Sequence, residues 1–227
     1  MKSCLYVFLC ITLLSGFASL SFAMDSPIIC RGNEVKVNHD SPGSCVHWTR
    51  SGGQHSIAVR GDTLYLIWQD NRNGNYDIWF SKSTDKGATW GQDVRVDHTG
   101  NATTDQWYPA IAVDWRGFIY VIWTDGRPNN TYSNIFFSKS TDGGQTFSSD
   151  VKVSDYDHAL GYFRSASLSI DCVHNYVFVA WVSDYPPGFG ESIRYSRSLD
   201  DGTSFQSSKE ISIRHNWSEP LLLDRLG

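Results

Sequence analysis

The chain is short of cysteine and of positive charge. Its 227 residues include five cysteines and seven histidines, and none falls at the paired spacings that ligate zinc. Cys4 and Cys10 sit in a leading apolar stretch. Of the other three, Cys30 and Cys45 are candidates to close a small loop in an oxidising compartment, which leaves Cys172 unpaired. Lys and Arg number 19 against 24 Asp and Glu, a formal net charge of −5. A surface of that sign gives no steering toward nucleic acid or an anionic membrane. Anionic ligands are not excluded, since a local arginine cluster holds one against the net field.

Long apolar runs are equally scarce. The one present, Leu5 to Leu20, follows Lys2 and precedes Ser21-Phe22-Ala23, a small-x-small cleavage pattern. Residues 1–23 therefore read as a signal peptide and residues 24–32 as a mature N-terminal segment. The run is short for a membrane span and is broken by Ser15, Gly16 and Ser19. The expected product is secreted, periplasmic or at the cell surface, and does not span the membrane once the signal is removed. About 200 residues then remain, enough for one domain with a real core.

What the chain has is repetition. Ser83-Thr84-Asp85-Lys86-Gly87-Ala88-Thr89-Trp90, Ser140-Thr141-Asp142-Gly143-Gly144-Gln145-Thr146-Phe147 and Ser198-Leu199-Asp200-Asp201-Gly202-Thr203-Ser204-Phe205 share the pattern Ser-x-Asp-x-Gly-x-x-aromatic. The copies start 57 and 58 residues apart, a period that signals an array of like units. Within each unit the apolar pattern is β throughout and divides into four runs. Run a is Ser56 to Val59, Ala110 to Asp114 and Ser167 to Asp171. Run b is Leu64 to Trp68, Ile119 to Trp123 and Val177 to Trp181; each is continuously apolar, as in strands buried on both faces. Run c is Asp77 to Ser81, Asn134 to Ser138 and Ser192 to Ser196, and the motif follows it. Run d is Val94 to Val96, Val151 to Val153 and Ile211 to Ile213, alternating as an outer strand does. Val35 to His39 looks like a further run d, and Pro220 to Asp224 like a further run a.

The repeated motif is that of an Asp-box, and over roughly residues 33–227 the chain resembles the sialidase (neuraminidase) superfamily of BNR/Asp-box β-propellers. The resemblance implies an all-β, sialidase-like β-propeller. It has three full four-stranded blades, about residues 55–98, 109–155 and 164–215, with partial blade strands at each end. Such an inventory does not close a ring, so an incomplete or truncated propeller is expected. Its uncovered faces would favour self-association, or missing blades supplied by another chain. The box is read as a structural staple. Gly87, Gly144 and Gly202 supply positive φ. Ser83, Asp85, Ser140, Asp142, Ser198 and Asp200 bond the turn's backbone. Trp90, Phe147 and Phe205 pack inward and anchor each turn to its own blade.

Strand direction alternates, so the b–c and d–a loops share the face opposite the boxes, where propeller sites are built. Two b–c loops there follow Trp-x-Asp-x-Arg: Trp68, Asp70, Arg72 and Trp123, Asp125, Arg127. Sialidases carry a similar Asp-x-Arg near their substrate, and an arginine fork suits the carboxylate of sialic acid. The recurrence in successive blades favours an Asp–Arg pair that stiffens each loop. A second sialidase feature, Phe-Arg-Ile-Pro before strand a, matches the Phe-Arg of Phe163-Arg164-Ser165-Ala166 and only the Pro of Gln106-Trp107-Tyr108-Pro109. Arg164 is thus the candidate carboxylate arginine; Trp107 stands in its place in the second blade, where an indole either stacks on sugars or packs the rim. The candidate ligand-binding set is Arg72, Asp125, Arg127, Arg164 and Trp107, with Asp70 as a further candidate acid. The Tyr–Glu nucleophile that the resemblance implies has no candidate. No metal site is expected, apart from a Ca²⁺ alternative at Asn71, Asn73, Asn75 and Asp77, which alternate like an oxygen-ligand loop. Three functions follow: a non-catalytic glycan-recognition or scaffold module, an exo-α-sialidase or a fragment of one, or a structural repeat of a larger surface protein.

Overall fold

A computed structural model describes residues 35–40, 47–48, 55–99, 104–127, 134–155, 168–183 and 192–211, all within the unit Val35–Gly227. The described residues form thirteen strands and no helix. The first sheet holds β1 (His47–Trp48), β2 (Ile57–Arg60), β3 (Thr63–Asp70), β4 (Asp77–Ser83) and β5 (Val94–Arg95); β1 and β2 both pair with β3. The second runs β6 (Gln106–Val113), β7 (Ile119–Asp125), β8 (Asn134–Ser140), β9 (Val151–Lys152) in order. The third is β10 (Ser169–Val173), β11 (Tyr176–Ser183), β12 (Ser192–Ser198), β13 (Lys209–Glu210). Every pairing is antiparallel. The inner strands of successive sheets meet, β2 against β6 and β6 against β10. The sheets are therefore blades of an incomplete β-propeller.

Period-two alternation decides which sheet each side chain meets. Ile119, Val121 and Trp123 of β7 join Tyr65, Ile67 and Phe80 in one core. Tyr120 and Ile122 of the same strand join Val177, Val179 and Trp181 in another. Sheet 2 thus lies between two partners, and every residue of β7 is buried. The third b run departs from its expectation. In β11 only the face toward sheet 2 is covered, and Tyr176 and Phe178 on the other face are 40% and 38% exposed. On the far side of sheet 1, Ile57 and Val59 are exposed as well. An apolar run shows that a strand is fit for burial; a neighbouring sheet must still supply it.

The boxes form as expected and gain one member. Ser83 Oγ donates to Asp85 and accepts from Gly87 N, and Asp85 accepts from Thr89 N at 2.8 Å and Thr89 Oγ1 at 2.7 Å. Ser140, Asp142, Gly144 and Thr146 repeat this, as do Ser198, Asp200, Gly202 and Ser204. The expectation for the aromatic is corrected. Phe147 packs on Phe80 of the preceding blade at 5.4 Å between centroids, and Phe205 packs on Phe137 at 5.1 Å. The box therefore staples one blade to the one before it, and the strand-c lysines reinforce the seam. Lys82 donates to the Gly143 carbonyl and Lys139 to the Asp201 carbonyl.

Two registers also differ from expectation, each by two residues. Ile170 pairs with Val179 as Ile111 pairs with Val121 and Ile57 with Leu66, so Leu168 precedes the position assigned to it. The tight turn at His174 and Asn175, shorter than the loop at Asp114 to Phe118, sets this register. Lys209 pairs with Tyr195 as Val94 pairs with Phe80 and Val151 with Phe137, so strand d begins before Ile211. Val35 to His39 forms no strand, yet His39 N and Nδ1 meet Asp93 as His98 N and Nδ1 meet Asp150. It takes the position of a d strand from a preceding blade. Cys30, Cys45 and the run Pro220 to Asp224 lie outside the described residues.

The seam makes a graded prediction. A Cβ on Gly144 would stand 2.3 Å from the Phe80 ring, and one on Gly202 2.2 Å from Phe137, whereas at Gly87 the nearest atom is Leu64 at 3.9 Å. All three have positive φ. Gly144→Ala and Gly202→Ala should each cost about 2–5 kcal/mol from overpacking plus backbone strain. Gly87→Ala should cost about 1–2 kcal/mol, from backbone strain alone. Urea denaturation measures the three; equal losses would refute the seam.

Candidate functional site

The b–c loops start where β3 and β7 end, and each strand end carries an indole two residues before an aspartate. Side chains at i and i+2 share a face, so each indole N–H points at its own aspartate. Trp68 Nε1 donates to Asp70 Oδ2 at 2.8 Å and Trp123 Nε1 to Asp125 Oδ2 at 3.0 Å. The arginine two residues on then folds back. Arg72 grips Asp70 with Nε and Nη2 at 2.9 and 2.7 Å, and donates from Nη1 to Asp93 at 2.7 Å. Its guanidinium lies 4.0 Å over the Trp79 ring. Arg127 repeats every part of this with Asp125, Asp150 and the Phe136 ring at 4.1 Å. Both aspartates are fully buried. Burial alone would pull the Arg72 and Arg127 pKa values down, but the hydrogen bonds each donates to two carboxylates outweigh it and raise both. Each Asp-x-Arg is an internal clamp tying a b–c loop to the strand-d edge.

The remaining candidates divide. Trp107 stands in β6 directly opposite Thr124 and is half-buried on the loop face. Arg164 lies outside the described residues. The observed register of β10 sets the Phe163-Arg164 pair two residues further from the strand than the matched spacing implied. The oxygen-rich loop spends its polar groups on Asp77. Asn73 and Asn75 donate amide N–H groups to it at 2.8 and 2.9 Å, and Arg95 Nη2 bridges it to Asp97. A guanidinium thus stands where a cation would sit, and burial holds the Asp77 carboxyl above its ordinary range. Among the described residues no group of three or more His, Cys, Asp or Glu is placed to hold a metal. Cys172 is half-buried, and burial pushes its thiol up to about 12.

Three features carry little signal in the sequence. The box hydroxyls Thr89, Thr146 and Ser204 were hidden by variation between Thr and Ser. Asp93 and Asp150 follow the first two boxes at the same spacing, but the third box is followed there by Ser208, so no motif marked them. β1 pairs with the end of β3 as Gln106 and Trp107 pair with the end of β7. An interrupted strand of two residues carries no periodicity to detect.

No protein-family model and no curated protein matches the chain. Among solved structures, Zg3597, a family 117 glycoside hydrolase produced by the marine bacterium Zobellia galactanivorans, is similar with a TM-score of 0.50 and 11% identity, over 76% of this chain and 58% of its own. A protein of unknown function from Dyadobacter fermentans aligns at a TM-score of 0.49 and 15% identity, over 70% and 41% of the two chains. The Hadza microbial sialidase Hz136 aligns at 0.46 and 17%, over 66% and 36%. The chain spans less than two thirds of the length of each. What is shared at these identities is the fold.

Two outcomes follow. Asp125→Ala should destabilise by about 3–5 kcal/mol, because it strands the Arg127 guanidinium and the Trp123 N–H; chemical denaturation measures it, and a loss under 1 kcal/mol would refute the clamp. The box aspartates set the acid limb. Hydrogen bonds led by Thr89 hold Asp85 down to about 2, and those led by Ser198 hold Asp200 to about 2; Asp142 is lower still. Folded values below the unfolded value of about 3.9 give stability that is complete above that pH and lost as pH falls toward about 2. Acid titration of unfolding should show this fall below about pH 4, and Asp142→Asn should make it shallower. An unchanged slope in the variant would exclude the boxes as its source.

Proposed function

We propose that the chain is a glycan-recognition module on an incomplete sialidase-like propeller, without hydrolytic activity of its own. One observation carries the reading. Both Asp-x-Arg pairs, the only described residues matching the sialidase carboxylate pattern, are consumed in internal clamps whose aspartates are fully buried. A fully buried carboxylate bonded to an indole and a guanidinium presents no face toward a substrate. The loop face nevertheless offers Trp107, an indole of the kind that stacks on sugar rings. The fold is shared with a protein described as a family 117 glycoside hydrolase, and a fold alone does not carry the chemistry.

The test pairs turnover with binding. Purified chain should not hydrolyse a fluorogenic sialoside, should show saturable binding on a glycan array, and should lose that binding several-fold in Trp107→Ala. Turnover abolished by Arg164→Ala would replace this reading with an exo-α-sialidase. An array without any saturable ligand would leave only a structural repeat.

A further inference from the structure

Each end of the arc carries one half of the joint that orders the blades. The first half lies on strand c, an aromatic ring with a basic side chain two residues on: Phe80 with Lys82, and Phe137 with Lys139. The second half lies on the next blade, the box glycine that admits the ring and the carbonyl just before it: Gly144 with Gly143, and Gly202 with Asp201. Strand pairing puts Tyr195 and Arg197 of β12 in the ring and cation positions, since Tyr195 stands opposite Ala180 and Lys209 as Phe80 stands opposite Ile67 and Val94. Tyr195 is half-buried and Arg197 exposed, and among the described residues no box follows them. At the other end Gly87 and Lys86 have the positive φ of their counterparts, yet a Cβ on Gly87 would meet only Leu64. The third blade has serines, Ser183 and Ser208, in both aspartate positions of the clamp, but its half of the joint is intact.

The sheet faces around these halves correspond in the same way. Ile57 holds in the first sheet the position of Ile111 in the second, which is buried against the blade before it; Ile111 is 2% exposed and Ile57 49%. Phe178 holds the position of Tyr65 and Tyr120, which are buried against the blade after them; they are 6% and 0% exposed, and Phe178 38%. Both ends are apolar where the interior blades are covered. The segment Val35 to His39 shows what the first blade lacks. It stands in a strand-d place, with His39 on Asp93 as His98 stands on Asp150, but among the described residues no strand c lies beside it. The missing piece is strands a to c of a preceding blade, with a ring on strand c. β10, β11 and β12 are such a piece.

We propose that two copies of this chain join head to tail, the third blade of each against the first blade of the other. Tyr195 seats on Gly87 of the second copy, and Arg197 donates to its Lys86 carbonyl. Residues 35–39 take the strand-d place beside β12 of the other copy and displace β13, whose two residues Lys209 and Glu210 are both exposed. Head-to-tail joints close a ring where the rotation per subunit allows. Two copies of three sheets make six blades, inside the range of roughly four to eight, and three copies would exceed it. The pairing does not depend on the glycan-recognition reading.

Sedimentation velocity of the purified chain over a wide concentration range tests this, and should show a species of twice the single-chain mass. Ile57→Asp and Phe178→Asp each bury a charge in the joint and should weaken association about 100-fold or more. Both side chains are exposed in the single chain, so the far-ultraviolet spectrum of each variant should match that of the parent. Gly87→Ala should weaken association about tenfold or more, by putting a Cβ where the ring sits, although its cost to folding is only backbone strain. The two aspartate variants mixed together should pair again, because one retains a sound third blade and the other a sound first blade. A parent chain that stays single at its solubility limit would overturn the proposal, as would a pair that neither aspartate weakens. Failure to recover on mixing would mark a face that meets its own copy, and would overturn the head-to-tail arrangement. Species that grow beyond two copies would overturn the closed ring.

Discussion

An aromatic ring seated on a glycine holds the blades in order. Phe80 lies where a Cβ of Gly144 would be, and Phe137 where a Cβ of Gly202 would be. The contact demands two things of one residue: a left-handed backbone, to close the Asp-box turn, and no side chain, to admit the ring. Glycine alone satisfies both. The contact is also directional, since strand c of one blade always meets the box of the next. It therefore fixes the order of the blades as well as their spacing. At the start of the arc Gly87 meets only Leu64 of its own sheet.

The opposite face is organised by charge. Taking an aspartate fully out of water is costly unless its oxygens are all engaged. Asp70 and Asp125 meet that condition by collecting an indole N–H and two guanidinium N–H groups each. The arginine in turn stacks on an aromatic and reaches a second aspartate near the outer strand. Such a unit is self-contained, which is why its appearance in consecutive blades argues for architecture over chemistry. Box and clamp divide the labour: one ties neighbouring blades together at the rear, the other ties the b–c loops of the first two blades to their own blades at the front.

Much of the fold was legible because its signals are local and repeated. The Ser-x-Asp-x-Gly turn and the continuous apolar b runs announce themselves at a fixed period. What was not legible depends on partners distant in sequence. No local pattern says that Phe147 packs on Phe80 and not on its own blade, since either contact demands an aromatic. The third blade misled in two places because apolarity and turn length disagreed. Ile211 is a better strand residue than Lys209, but the spacing from the box decides the pairing. The Asp-x-Arg motif was visible, while its buried partners Asp93 and Asp150 carry no motif of their own.

The third blade shows what becomes of the clamp when its carboxylates are lost. Replacing a carboxylate by a hydroxyl in a buried clamp does not simply weaken it; the remaining donors still require an acceptor. Evolution has two ways to settle such a change. It can remove the donors, making the position apolar as at ordinary core sites, or it can leave them for an acceptor from outside. At Trp181 and Ser192 the first course was open: phenylalanine and alanine would fit and would remove the unmade bonds. The donors remain, and beside them stands Arg194, a buried guanidinium brought in from a strand position that is aromatic in both other blades. The loss of the acceptor leaves the Trp181 and Ser192 donors unmade, while the guanidinium of Arg194 is met by Ser208 and Glu210.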